Sequence, residues 1–403
     1  VMTNLNTQAG NRLHYLDAVR AGALLLGIVF HACLSFMPIF IGWAVMDINT
    51  SNSVGVFALI SHSFRMELFF FIAGFFACLS VNKHGIGGFI RSRVLRIGVP
   101  FTIGWIALRP LIIAGWTIGG QSMQGDVDVL AGLANGLTAF NGQDILVGTH
   151  LWFLYYLLLI TFTVLAAKWI LNRASGLSEW IDNATSNVAN IGARFSIIGL
   201  LCVFPIMLCL WFMNGWDVDT PDKSLWPIWS VFALYGCFFV AGWLVAKHQV
   251  LLDMLSKFSW WRVALCCAAI MAVLSLSGYE SQRAHDDYMW LKLTYLLSYA
   301  LMMCLLVTLS LAICRKLFAR GNKVVSYIAD ASYWMYLIHL PLVVWLQVAV
   351  AELPWHWGVK LLVICSATVM ISLAIYDACI RSTFVGSLLN GKRASRFIAS
   401  KRN

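Results

Sequence analysis

Asp17-Ala-Val-Arg20-Ala-Gly-Ala-Leu-Leu-Leu-Gly27-Ile-Val-Phe-His31 is apolar enough to enter a bilayer, yet it carries an acid, a guanidinium and an imidazole. At about 3.6 residues per turn, Asp17, Arg20, Gly27 and His31 return to nearly one side of a helix, with Arg20 and His31 about 16 Å apart along it. A polar seam therefore runs through a greasy helix. Ionisable side chains inside a span are functional candidates by default. The plainer alternative for His31 is a structural histidine satisfied by a neighbouring helix.

The rest of the chain agrees with that environment. At 60% hydrophobic and 11% charged over 403 residues, a soluble domain is excluded, because water would face more apolar surface than soluble folds expose. The expectation is an all-α integral membrane protein. Apolar runs of roughly 20 residues, the length a spanning helix needs, fit ten times: 17–38, 54–80, 96–118, 145–171, 195–214, 226–246, 261–278, 288–313, 324–350 and 357–380. Residues 1–16 form a short leading segment without a cleavable signal pattern, so the first span serves as its own insertion signal. Residues 17–380 make one transmembrane domain and residues 381–403 a basic tail suited to an anionic leaflet. The gaps between spans are too short for a soluble core.

Charge orients the bundle. Of 28 Lys and Arg, only Lys223 and Arg283 fall in the odd-numbered loops, and Arg20, Arg65, Arg109, Lys292 and Lys360 lie deeper in spans. The others gather at the termini, the even-numbered loops and the adjoining span ends. Odd loops collect acids such as Asp126, Asp128, Asp217, Asp219 and Asp222. Since positive residues mark the cytoplasmic side, both termini are expected inside. The same distribution explains the net charge of +10 without a nucleic-acid partner. None of the eleven cysteines falls in an outer loop and no Cys-x-x-Cys occurs, so neither a disulfide framework nor a metal site is expected. Tryptophans such as Trp43, Trp152, Trp226, Trp261 and Trp357 sit near span ends, where interfacial rings are favoured.

Depth then sorts the histidines. Counting about 1.5 Å per residue from the inner face places His31 and His339 past the midplane, with His62 and His150 nearer the outer mouth. Arg65 and Glu67 follow His62, but residues two apart do not share a helix face, so they need different partners. Near His339, Ser332, Tyr333 and Tyr336 offer hydroxyls, and Pro341 predicts a locally irregular helix. For His339 a hydrogen-bonded bundle histidine, and for His150 with Trp152 interfacial anchoring, remain alternatives. At the inner surface Arg91, Arg93 and Arg96 lead into the third span close to Arg20. Guanidinium groups suit phosphate, although such a triplet also simply obeys the positive-inside rule. Neutral imidazole suits removal of a hydroxyl proton or brief acyl transfer.

Several of these segments resemble the integral-membrane acyltransferase family 3. They are Tyr15-Leu16-Asp17-Ala-Val-Arg20 with its ten-residue gap to His31, Phe69-Phe-Phe-Ile-Ala73-Gly74-Phe75, Arg93-Val-Leu-Arg96 ahead of Pro100, His150-Leu-Trp152-Phe-Leu154 and Ser332-Tyr333-Trp-Met-Tyr336-Leu-Ile-His339-Leu-Pro341. Ala73 departs from the serine usual in the family. Within the family, His62-Ser-Phe-Arg65-Met66, Arg96-Ile-Gly-Val-Pro100 and Tyr376-Asp-Ala-Cys-Ile-Arg381 look most like the glucan biosynthesis protein C group of membrane succinyltransferases. The resemblance implies a bacterial inner-membrane enzyme that takes acyl groups from cytoplasmic acyl-coenzyme A, with succinyl-coenzyme A the expected donor, and delivers them to hydroxyls of a periplasmic glucan. It implies that His31 is catalytic and that Arg20, Arg93 and Arg96 serve the donor side, to which the residue reading adds Arg91.

On that reading, His62, Arg65, Glu67, His150, Trp152, Tyr333 and His339 are the acceptor and acyl candidates. No tightly bound cofactor or metal is expected, and the lipid bilayer, the thioester and a polysaccharide are the expected partners; self-association is left open. Two rival readings stand: an O-acetyltransferase acting on a surface polysaccharide, and a proton-coupled transporter of an anionic solute, which would leave a thioester intact.

Overall fold

The computed structural model describes residues 13–138, 140, 147–173, 176, 180, 183–187, 202–391 and 393–396. Among them the regular structure is helical throughout, and eight helical stretches are long and apolar enough to cross a membrane. The chain is a multi-pass membrane protein. Large apolar side chains such as Ile103, Phe204, Leu362 and Met370 are exposed on its outside, as lipid permits and water would not.

Helix α1 (His14–Cys33) lies within the bundle, in contact with α2 (Asn52–Arg93), α10 (Tyr288–Phe318), α11 (Lys323–Val350) and α12 (Trp357–Ile375). Leu16, Val19, Ala23, Leu24 and Ile28 are buried among those neighbours. Of the polar seam, Asp17 is buried, and Arg20, Gly27 and His31 border a cavity inside the bundle.

The second and third expected spans form one continuous helical stretch, Asn52–Ser122. It is not straight: Gly85 adopts φ 70° and ψ 171°, a conformation open to glycine at little cost. Beyond it the helix runs to Arg93, then through a π-turn at Val94–Gly98 into α3 (Val99–Ser122). A widened turn of this kind often accompanies function, and here it places Arg93 and Arg96 at one end of the bundle. The short helix α4 (Val129–Leu137) packs on α3, its first turn capped by Asp128 Oδ1, which accepts from Ala131 N.

A turn at Thr149–Leu151 opens α5 (Trp152–Arg173). Of the expected fifth span, 195–214, only residues from 202 are described, with α6 at Val203–Trp211. Helices α7 (Trp229–Lys247), α8 (Gln249–Leu255) and α9 (Trp260–Leu276) follow. The contact between α2 and α7 is close because a Cβ on Gly74 would run into the Phe239 carbonyl, and one on Gly242 into that of Phe71. Small residues let membrane helices approach in this way, which gives Gly74 of the Phe-rich motif a packing role.

Two expectations near the end of the chain change. Helix α11 runs unbroken through Pro341, so the irregularity expected there is confined to its hydrogen bonds. The basic segment after residue 380 begins with a turn into α13 (Phe384–Asn390), which packs against the π-turn carrying Arg96. Residues 1–12 and 397–403, with most of the connection 174–194, lie outside the described residues.

Candidate active site

A cavity of about 450 Å³ penetrates the bundle beside α1. Arg20, Arg93, Arg96, Asp330 and Asn390 line one end; His31, His62, Arg65, His150 and His339 line the other, with Trp152 and Tyr333 in the wall. Its size falls in the range of small-molecule sites. The expected donor and acceptor groups thus share one space. Two candidates do not belong to it. Arg91 is exposed at the end of α2 and is absent from the lining. Glu67 is fully buried but turned away from the cavity, the consequence of sitting two residues from Arg65 on a helix.

The arginine end joins several helices and a π-turn. Arg20 Nη2 donates to Ser332 Oγ at 3.5 Å, while Arg93 lies over the Phe89 ring at 4.7 Å. Arg96 is exposed and lies against Gly391, whose φ of 78° and lack of a Cβ let the guanidinium approach the backbone. Asn390 next to it is fixed by donation from Nδ2 to Tyr376 Oη at 2.9 Å. The segment expected to lie on the leaflet therefore helps build the rim.

The histidine end is tied to the backbone. His150 Nε2 lies 2.9 Å from the Leu337 carbonyl oxygen, His62 Nε2 3.1 Å from that of Val218, and His339 Nδ1 2.6 Å from that of Tyr336. A carbonyl only accepts, so each of these nitrogens carries the proton and the tautomer is fixed. The Leu337 carbonyl is available for a structural reason: its helical partner would be the N–H of residue 341, which is proline and has none. Pro341 thereby turns a broken helix bond into an anchor for His150, and Tyr336 Oη donates to the His150 carbonyl.

The imidazoles form a chain of ring contacts. His31 lies 5.3 Å from His339, which lies 5.4 Å from His150. On the other side Phe30 stacks on His62 at 5.5 Å and carries the Arg65 guanidinium 4.1 Å above its ring. Several polar atoms here are buried with no protein hydrogen bond: His31 Nδ1, His62 Nδ1, His150 Nδ1, Arg65 Nη1 and Tyr333 Oη. Orphaned polar atoms are uncommon in folded proteins, and each calls for an explanation.

Sequence reasoning did not single out Thr220, whose Oγ1 stands 3.3 Å from His62 Nε2, nor Asp330 and Asn390. It placed Trp43 among the interfacial rings, whereas the structure stacks Trp43 on His31 with centroids 5.6 Å apart and planes at 17°. Gln347, which accepts from Trp43 Nε1 at 2.9 Å, was also unmarked.

The fold and site define a polytopic membrane protein with an imidazole-lined interior reached from a basic rim. The chain belongs to acyltransferase family 3, whose model, described as an acyltransferase domain, matches residues 13–377. It is therefore an acyltransferase, and the transporter alternative falls away. Among curated proteins it is similar to glucans biosynthesis protein C of Escherichia coli O139:H28 (strain E24377A / ETEC), at 24% identity over 96% of this chain and 97% of the relative. The same protein from Escherichia coli strain K12 is 24% identical over the same shares, and that of Escherichia coli O81 (strain ED1a) 25%. No solved structure matches the chain.

Proposed function

We propose that the protein is a bacterial inner-membrane O-acyltransferase that moves a succinyl group from cytoplasmic succinyl-coenzyme A to hydroxyls of a periplasmic glucan. The observation that carries this reading is the single cavity with guanidinium groups at one end and His31 among imidazoles at the other. In it the bundle has ten spans with both termini in the cytoplasm, so the arginine rim faces the donor. Arg20, Arg93 and Arg96 hold the donor's phosphates, for which guanidinium offers paired donors. The acyl arm extends towards His31, and the sugar enters from the opposite side past His62 and Thr220.

His31 takes the proton of the attacking hydroxyl as general base. The hydroxyl oxygen bonds to the thioester carbonyl carbon, the carbon–sulfur bond breaks, and the proton passes to the departing thiolate, leaving an ester and a free thiol. Arg65 pairs with the distal carboxylate of the succinyl group. Its guanidinium is buried in the wall, with Nη1 lacking a protein partner and only the Phe30 face beneath it, so a carboxylate there compensates a desolvated charge.

The test is transfer by purified protein supplied with succinyl-coenzyme A or acetyl-coenzyme A and glucan, with the ester identified by its mass. Succinyl ester that vanishes in H31A supports the proposal. Thioester left intact, or transfer undiminished in H31A, overturns it; preferred acetyl transfer overturns the succinyl assignment alone.

A further inference from the structure

His31 lacks the partner that usually orients a catalytic imidazole. In hydrolase triads a carboxylate on the second ring nitrogen fixes the ring, but here Nδ1 is buried with no protein hydrogen bond. Something else must hold the ring. The structure places Trp43 over it, nearly parallel, and ties Trp43 back to the same helix. Trp43 Nε1 donates to Gln347 Oε1 at 2.9 Å, and Gln347 Nε2 donates to the carbonyls of His31 and Ala32, both at 3.0 Å. Gln347 is buried on α11, while Trp43 and His31 are half-buried beside it.

The segment bearing Trp43 is itself locked in place. Asp47 N donates to the Ser35 carbonyl at 2.8 Å and Ser51 N to that of Phe36 at 2.9 Å. Lys360 Nζ reaches both oxygens of Asp47, at 2.7 and 2.9 Å, and the Ala351 carbonyl at 2.9 Å, and both side chains are buried. At Gly119 a Cβ would run into the Ala44 carbonyl. Trp116 meets the Trp43 ring edge-on at 5.1 Å.

We propose that Trp43 and Gln347 are positioning residues that aim the His31 imidazole into the cavity by stacking and a backbone tether, in place of the usual carboxylate. The inference rests on the reading of His31 as the transfer base. A ring freed to turn about its side-chain bonds loses its alignment with the hydroxyl proton, and misplacement of about 1 Å costs on the order of 100-fold in rate.

The experiment measures kcat and KM for succinyl-coenzyme A and for glucan in W43A, W43F, Q347L, G119A and H31A, alongside each variant's thermal midpoint. W43A and Q347L are expected to lose about 30- to 100-fold in kcat with both KM values within about twofold of the parent, because alignment is lost and binding is not. W43F keeps a stacking ring and recovers at least a third of kcat. G119A, which pushes Ala44 and its neighbour Trp43, falls between. Full kcat in Q347L or W43A, no recovery in W43F over W43A, or losses that appear in KM overturn the proposal. If W43A does not fold, the kcat of Q347L and W43F decides by the same criteria. An active H31A defeats the underlying reading; an inactive H31A with a normal W43A defeats this inference alone.

Discussion

The two ends of the cavity are built on opposite principles. At the rim, Arg20, Arg93 and Arg96 are exposed or half-buried, with Arg93 over Phe89 and Arg96 on the bare backbone of Gly391. Deeper in, His62, His150 and His339 are each fixed by a backbone carbonyl, and His31 by stacking. The rim guanidinium groups are partly open, whereas three interior imidazoles are each held in one tautomer by a carbonyl and His31 is held by ring stacking without a hydrogen bond on Nδ1. The rim should therefore govern binding and the interior turnover.

Substitutions can break that division or sharpen it. The largest effect is expected for H31A, with kcat down about 1,000-fold or more, the upper range for a general base, measured as esterified glucan per minute. R93A combined with R96A should raise KM for the thioester about 10- to 100-fold while kcat changes little, and added salt should weaken the parent's donor binding more than the variant's. P341A is expected to restore an N–H to the Leu337 carbonyl, compete with His150 and lower kcat about tenfold with donor KM unchanged. G391A should move the Arg96 guanidinium and raise donor KM by a few-fold, a smaller echo of the double variant. R91A, outside the cavity, should stay within about twofold of the parent in both constants. A donor-binding loss in P341A, or a pure kcat loss in the rim variants, would erase the distinction between the two ends.

Much of this site was legible in the sequence because depth in a membrane helix follows from counting residues. Arg20 and His31 had to share a face, and His62, His150 and His339 had to approach them once the spans alternated in direction. The same helical rule, which already gave Arg65 and Glu67 different partners, separates the residues that line the cavity from those that do not. Arg91 lies two positions from Arg93, and Glu67 two from Arg65, so in each pair only one side chain enters the cavity. Adjacency in sequence overstated the arginine cluster.

What stayed hidden depends on segments that fold back. Trp43 reaches His31 only because residues 37–51 are pinned by the buried Asp47–Lys360 pair, and neither charge carries a local signal for the other across more than 300 residues. Asn390 reaches the rim through a helix in what read as a basic tail. Pro341 was noticed as a helix breaker, but the physical content lay four residues upstream, in the carbonyl that it leaves for His150.

The most direct test of the central claim, one path from a basic rim to His31 and out past His62, is transfer across a sealed membrane. Proteoliposomes would hold succinyl-coenzyme A only inside and glucan only outside, with H31A vesicles as the control. The account predicts succinylated glucan in the outer solution of the parent vesicles and none from the control. Ester that forms only when donor and glucan occupy the same compartment would contradict it.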